Sequence, residues 1–182
     1  DTPRDTWDYV VTDTIAANGA RENLPYGYER YRVAFSGSYR FPFGTNGQLG
    51  YQYDNVERDY TEVDETEEHE LWAELRLSPL DGTDLRLKYS YATRDGDDYD
   101  PVGATVPPQN TRMRKYNLAD RDRKSLEMSL LLQPTDRLDL TFTGLFADDD
   151  YDDTDLGLAE GEYRNVTLDA GLRLTDNAVL TA

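Results

Sequence analysis

The sequence predicts an all-β fold: antiparallel up-and-down strands, about seven to eight of them, forming a segment of a larger transmembrane β-barrel. Three observations carry this. Apolar and polar residues alternate with a period of two over long stretches, each about nine to eleven residues or more, the length that crosses a hydrocarbon layer at a steep tilt. Short turns then alternate with long, acidic connections, as they do at the two rims of an outer-membrane barrel.

Residues 1 to 27 read as a loop with a partial strand: Asp8-Tyr9-Val10-Val11 is strand-like, and Asn18-Gly19 and Asn23-Leu24-Pro25-Tyr26-Gly27 form turns. Residues 28 to 182 read as successive hairpins, the whole chain being part of one barrel domain. The first strand runs from about Tyr28 to Phe41, with Tyr31, Val33, Phe35, Gly37, Tyr39 and Phe41 on one face and Arg32, Ala34, Ser36, Ser38 and Arg40 on the other. Its turn is expected at Pro42–Gly47, with Asn46-Gly47 supplying the positive φ angles, and its return strand at Gln48–Arg58. An acidic connection, Arg58 to Glu68, follows.

The stretch His69 to Asp95 spells out the pattern most fully. Leu71, Ala73, Leu75 and Leu77 alternate with Glu70, Trp72, Glu74 and Arg76; after a turn at Ser78–Thr83, Leu85, Leu87, Tyr89 and Tyr91 alternate with Arg86, Lys88, Ser90 and Ala92. Sliding the second arm by one residue would put Arg86 and Lys88 into lipid at a cost of about 2–4 kcal/mol each near the midplane, so the register is fixed by energy. Gly96 to Arg121 is a long polar loop. Leu126, Met128, Leu130 and Leu132, a turn at Pro134-Thr135-Asp136, then Leu138, Leu140, Phe142, Gly144 and Phe146 make the next hairpin. Asp148–Asp155 reads as another acidic loop. Val166, Leu168, Ala170, Leu172 and Leu174 mark the seventh strand, and after a turn at Thr175-Asp176-Asn177 the last residues begin an eighth, so a fragment is expected. Aromatic residues near the strand ends, Tyr28, Tyr39, Phe41, Phe43, Tyr91, Phe146 and Tyr163, suit interfacial girdles. Hairpins recur every 40 to 50 residues or so, as propeller blades do, but a blade needs four short strands per repeat where this chain has two long ones.

Composition bounds the function. With 37 acidic and 19 basic residues among 182, the formal charge is −18, which repels nucleic acid. There is no cysteine, hence no disulfide, no thiolate chemistry and no Cys-x-x-Cys-His haem attachment on this chain. No Ser, His and Asp set and no phosphate-cradling glycine loop stands out, so no enzyme activity is expected. No apolar run reaches the length of a membrane helix; any crossing is made by strands.

Arg58-Asp59-Tyr60, the acidic stretch to Glu68, His69-Glu70-Leu71-Trp72-Ala73 and the spaced Leu-Arg-Leu-Lys-Tyr-Ser-Tyr of 85–91 with Arg94-Asp95 resemble the MtrB/PioB family of outer-membrane β-barrels. The resemblance extends loosely over Tyr28 to Ala182. It implies a bacterial outer-membrane location and a large porin-like barrel that sheathes a periplasmic multihaem c-type cytochrome, with an extracellular multihaem cytochrome as a further candidate partner. It also implies that electrons cross the outer membrane, with haem c carried by the partner and no cofactor on this chain.

The residues expected to face the lumen and such a partner are Arg32, Arg40, Glu70, Trp72, Glu74, Arg76, Arg86 and Lys88, where the plain alternative is a wall whose charges pair with each other or with water. Trp72 is the odd member and is expected to pack on a plug or partner. Leu71, Leu75, Leu77, Leu85, Leu87, Tyr89, Leu130, Leu140, Phe142, Leu168 and Leu172 are expected to face lipid. His69 is expected on the aqueous rim, and no metal ligand is assigned; the 148–155 run lacks the central Gly and terminal acid of an EF-hand. A diffusion or solute channel is the rival function, and a soluble acidic β-sandwich a third.

Overall fold

The computed structural model describes residues 8–9, 21–22, 27–42, 44–59, 61–100, 110–152, 154–175 and 178–181. Phe43, Tyr60, Asp153, the loop prolines 101, 107 and 108, and the turn at 176–177 lie outside them. No helix occurs among the described residues. Two short strands, β1 (Asp8–Tyr9) and β2 (Arg21–Glu22), pair with each other. The rest is one antiparallel sheet of eight strands in chain order: β3 (Tyr28–Arg40), β4 (Thr45–Arg58), β5 (Glu65–Leu80), β6 (Thr83–Gly96), β7 (Arg121–Thr135), β8 (Leu138–Tyr151), β9 (Glu160–Thr175) and β10 (Ala178–Thr181). This all-β, up-and-down order is the one the alternation predicts.

A single sheet has two faces and no interior. The register puts Leu77, Leu85, Leu130, Phe142 and Leu168 side by side in one ladder row, and Leu75 beside Leu87 in the next. The apolar side chains of this face lie open: Leu71 is 63% exposed, Leu168 65% and Phe35 68%, and none of the eleven residues expected to face lipid is buried. A soluble sandwich would hide this set in a core; here it stays uncovered. The packed core sits at the long-loop rim instead. There Val63 is 2% exposed and Leu118, Ala119 and Tyr151 are buried. The three long connections knit together above it, through Asp100 N to Glu62 O at 2.7 Å, Arg114 N to Leu156 O at 2.9 Å and the Arg94 guanidinium to the carbonyls of Ala119 and Tyr116.

The apolar band runs diagonally across the ladder. Phe35, the middle of the β3 set, shares a row with Tyr51, Leu71, Tyr91, Lys124, Asp148 and Glu162. The middle of the β9 set is Ala170, eight residues beyond Glu162 and six strand steps from β3. If the band lies level, eight residues of rise at about 3.3 Å over six spacings of about 4.8 Å means strands leaning about 40°, the tilt of transmembrane barrel walls. The same drift lifts Asp148, Asp150, Glu160 and Glu162 above the band on β8 and β9, which is why charges can share a face with leucines there.

Several boundaries differ from expectation. The acidic runs are partly strand: β5 begins at Glu65 and β8 continues to Tyr151, because alternate acids fall on the polar face and find cations there (Glu68 with Arg121, Asp149 with Arg123). The first turn closes earlier than Asn46-Gly47. Phe41 N donates to Thr45 O at 2.8 Å, Gly44 takes the positive φ of 71°, and Asn46 and Gly47 are paired strand residues. Gly47 lies under the Phe41 ring, which leaves no room for a side chain. Pro79 and Pro134 sit not in turns but in bulges of β5 and β7, where the ladder is interrupted and a missing N–H costs nothing. The turns themselves are two-residue links, Asp81-Gly82 and Asp136-Arg137. Gly82 has φ +72°, and a Cβ there would lie 2.9 Å from Gln133 O. Gly82→Ala is therefore expected to destabilise the full-length barrel by about 1 kcal/mol or more, read as a lowered urea midpoint in lipid vesicles.

Candidate functional site

The polar face is built by the same alternation, seen from the other side. It carries Arg30, Arg32 and Arg40 on β3, Asp54 and Arg58 on β4, Glu68, Glu70, Glu74 and Arg76 on β5, and Asp84, Arg86, Lys88 and Arg94 on β6. Arg121, Arg123 and Glu127 follow on β7, Asp139 and Asp149 on β8, and Asp169 and Arg173 on β9. That is eleven cations against nine carboxylates. Elsewhere the sequence holds 28 acidic and eight basic residues, so the chain's large negative charge is excluded from this face.

Cross-strand ion pairs organise it. Arg30 and Arg32 both reach Asp54, the latter at 3.0 Å. Glu74, its side chain only 6% exposed, accepts from Arg76 Nε at 2.5 Å and Arg86 Nε at 2.9 Å, holding two arginines that face each other across the ladder. Without that shared carboxylate the like charges would repel. Lys88 Nζ stands between Glu70 at 3.9 Å and Glu127 at 3.7 Å. Arg123 and Asp149 form a two-pronged pair, Nε and Nη2 each 2.6 Å from a carboxylate oxygen. Between the upper and lower charged rows runs a row of small residues, Ser36, Gly50, Ser90, Ser125 and Ala147, broken on β5 by Trp72; in it the Ser90 and Ser125 hydroxyls hydrogen-bond at 2.7 Å.

Arg32, Arg40, Glu70, Trp72, Glu74, Arg76, Arg86 and Lys88 share this face of the sheet. Trp72 has a partner within its own sheet. Its indole covers Gly50, directly opposite on β4, so that a Cβ at Gly50 would strike Cζ2, Cε2 and Nε1; Lys88 Nζ sits 5.5 Å from the ring centroid. His69 is exposed, four residues inside β5 on the apolar-face parity, opposite Tyr53, with Nδ1 2.7 Å from Tyr51 Oη. It forms an aromatic cluster with Tyr51 and Tyr53 at the long-loop end of the apolar band.

The residues that sequence reasoning missed are Arg30, Asp54, Glu68, Arg121, Arg123 and Asp149, which carry the upper ion pairs. Extending the period of two through the acidic stretches would have found them. A hollow under the long-loop rim is lined by Glu68, Ser90, Arg123, Ala147 and Tyr151 from the strands and by Tyr116 from the 97–120 loop, so the loop leans over the polar face.

Comparison with known proteins meets this geometry. The model of the family described as "Putative outer membrane beta-barrel porin, MtrB/PioB" matches residues 1–182. The chain is 31% identical over 176 residues to "Outer membrane protein MtrB" of Shewanella baltica (strain OS185), covering 97% of this chain and 25% of that relative. It thus spans about a quarter of that protein's length. An open, eight-stranded, two-faced sheet is what such a portion of a barrel wall looks like, and the chain belongs to the MtrB/PioB family of outer-membrane β-barrel porins.

Proposed function

We propose that this chain is part of a wall that encloses a multihaem c-type cytochrome and lets electrons cross the outer membrane. The apolar face, with Leu71, Leu75, Leu87, Tyr89 and Leu168 open, lies against lipid, and the polar face lines the lumen. The observation that supports this best is the pairing of an uncovered apolar band with a polar face that gathers the chain's cations.

Physical chemistry makes the division of labour reasonable. Hydrocarbon excludes charge, so a row of haems with ionised propionates and iron needs a closed polar sleeve to cross it. This chain has no cysteine and one histidine, which is held by tyrosines; the haem is the partner's, and the wall supplies insulation and position. The periplasmic cytochrome is the principal partner and an extracellular one a second. The rival is an open solute channel, favoured by the same polar lining.

The test is purification of the full-length protein from its native membrane in mild detergent. A haem Soret band that travels with the barrel through size-exclusion chromatography is the expected result. A colourless barrel that conducts ions in planar bilayers would establish the channel instead.

A further inference from the structure

Arg40, Asn46, Arg76 and Arg86 occupy one ladder row of the polar face near the short-turn rim, on four consecutive strands. Three steps of about 4.8 Å spread the row over roughly 14 Å of wall. One carboxylate, that of Glu74, serves it. Arg76 spends only Nε on Glu74 and keeps its other donors free among the described residues; its side chain is 59% exposed and that of Arg86 45%. The Arg40 side chain makes no hydrogen bond or ion pair among the described residues. Three arginines share a row that one carboxylate serves, so the row carries more positive charge than its own sheet neutralises and has room for anions from outside.

We propose that the row Arg40–Arg76–Arg86 is a docking site for aspartate and glutamate side chains on the surface of the enclosed protein. Guanidinium forks take carboxylates in paired hydrogen bonds, and the geometry is specific to a planar anion. A span of about 14 Å exceeds what one small anion can bridge, whereas an acidic patch on a protein body fills it. The buried Glu74 competes for the same forks, taking Arg76 Nε and Arg86 Nε and Nη2 and leaving the two Nη groups of Arg76 and Nη1 of Arg86 for an outside carboxylate. The site rests on the sheath reading and names the chemistry by which the sheath holds its occupant.

The test uses the full-length protein with its haem-bearing partner, immobilised through the barrel and washed with rising NaCl while released haem absorbance is read. R40Q/R76Q/R86Q is expected to release haem at about one third of the salt needed by the wild type, since fewer charge pairs resist screening. R40K/R76K/R86K, which keeps the charge but not the fork, is expected between the two, and R164Q, on the opposite face, at the wild-type point. Glu74→Gln frees both arginines and is expected to raise the release point, a direction that mere loss of structure would not give. Heat-modifiable gel mobility checks that each barrel is folded. A folded triple variant that holds haem as the wild type does overturns the site; if the triple variant does not assemble, an unchanged or lowered release point for Glu74→Gln overturns it. A wild-type barrel that carries no haem at all overturns the sheath reading and the site with it.

Discussion

Leu87→Arg in the full-length protein is expected to cost about 2–4 kcal/mol of stability in a bilayer, whereas Thr143→Arg is expected to cost less than about 1 kcal/mol. Leu87 lies mid-band on β6, in a ladder row with Gly47, Leu75, Met128 and Gly144. An arginine there places a guanidinium where no water or counter-charge reaches it. Thr143 stands on the polar face of β8 between Ser129 and Thr167, where a long cation meets hydroxyls and water. Denaturant titration of the folded, heat-modifiable form in lipid vesicles measures both. Equal losses would mean that the two faces do not meet different media.

Gly50→Val is expected to cost about 1–3 kcal/mol, through overpacking against the Trp72 indole that covers it. The revealing comparison is the double-mutant cycle. In a Trp72→Ala background the ring is gone and the same substitution is expected to cost almost nothing, or to stabilise slightly by adding a β-branched residue to a strand. Two additive losses would show that Trp72 spends its time elsewhere in the lumen. This cycle also decides whether Trp72 is part of the wall or free to leave it.

The strands and their faces were legible because lipid and water impose opposite demands on successive residues, and that demand is written at every second position from Tyr31 to Leu174. What alternation cannot report is which residue stands opposite which. The cover of Gly50 by Trp72 joins positions 22 apart in the chain and becomes visible only once β4 and β5 are in register. Asn46-Gly47 misled for the same reason: a pair that ordinarily makes a turn is used inside β4, where Gly47 makes room for the Phe41 ring. Charge alone points to loops in the acidic runs, yet part of each is strand. In Asp148-Asp149-Asp150 the middle residue turns to Arg123 while its neighbours face outward above the apolar band, so one composition serves two surroundings. The two prolines were read as turn formers, but bulges tolerate the missing donor equally well.

The lean of the strands fixes girth. An upright strand claims about 4.8 Å of arc, and one inclined at about 40° claims roughly 6.3 Å. Eight such staves cover about 50 Å of perimeter where eight vertical ones would cover under 40 Å. A wall that slopes therefore encloses a wider bore for the same number of strands, each made longer to cross the same thickness, and the bore, rather than any single side chain, sets how bulky a passenger the cylinder admits.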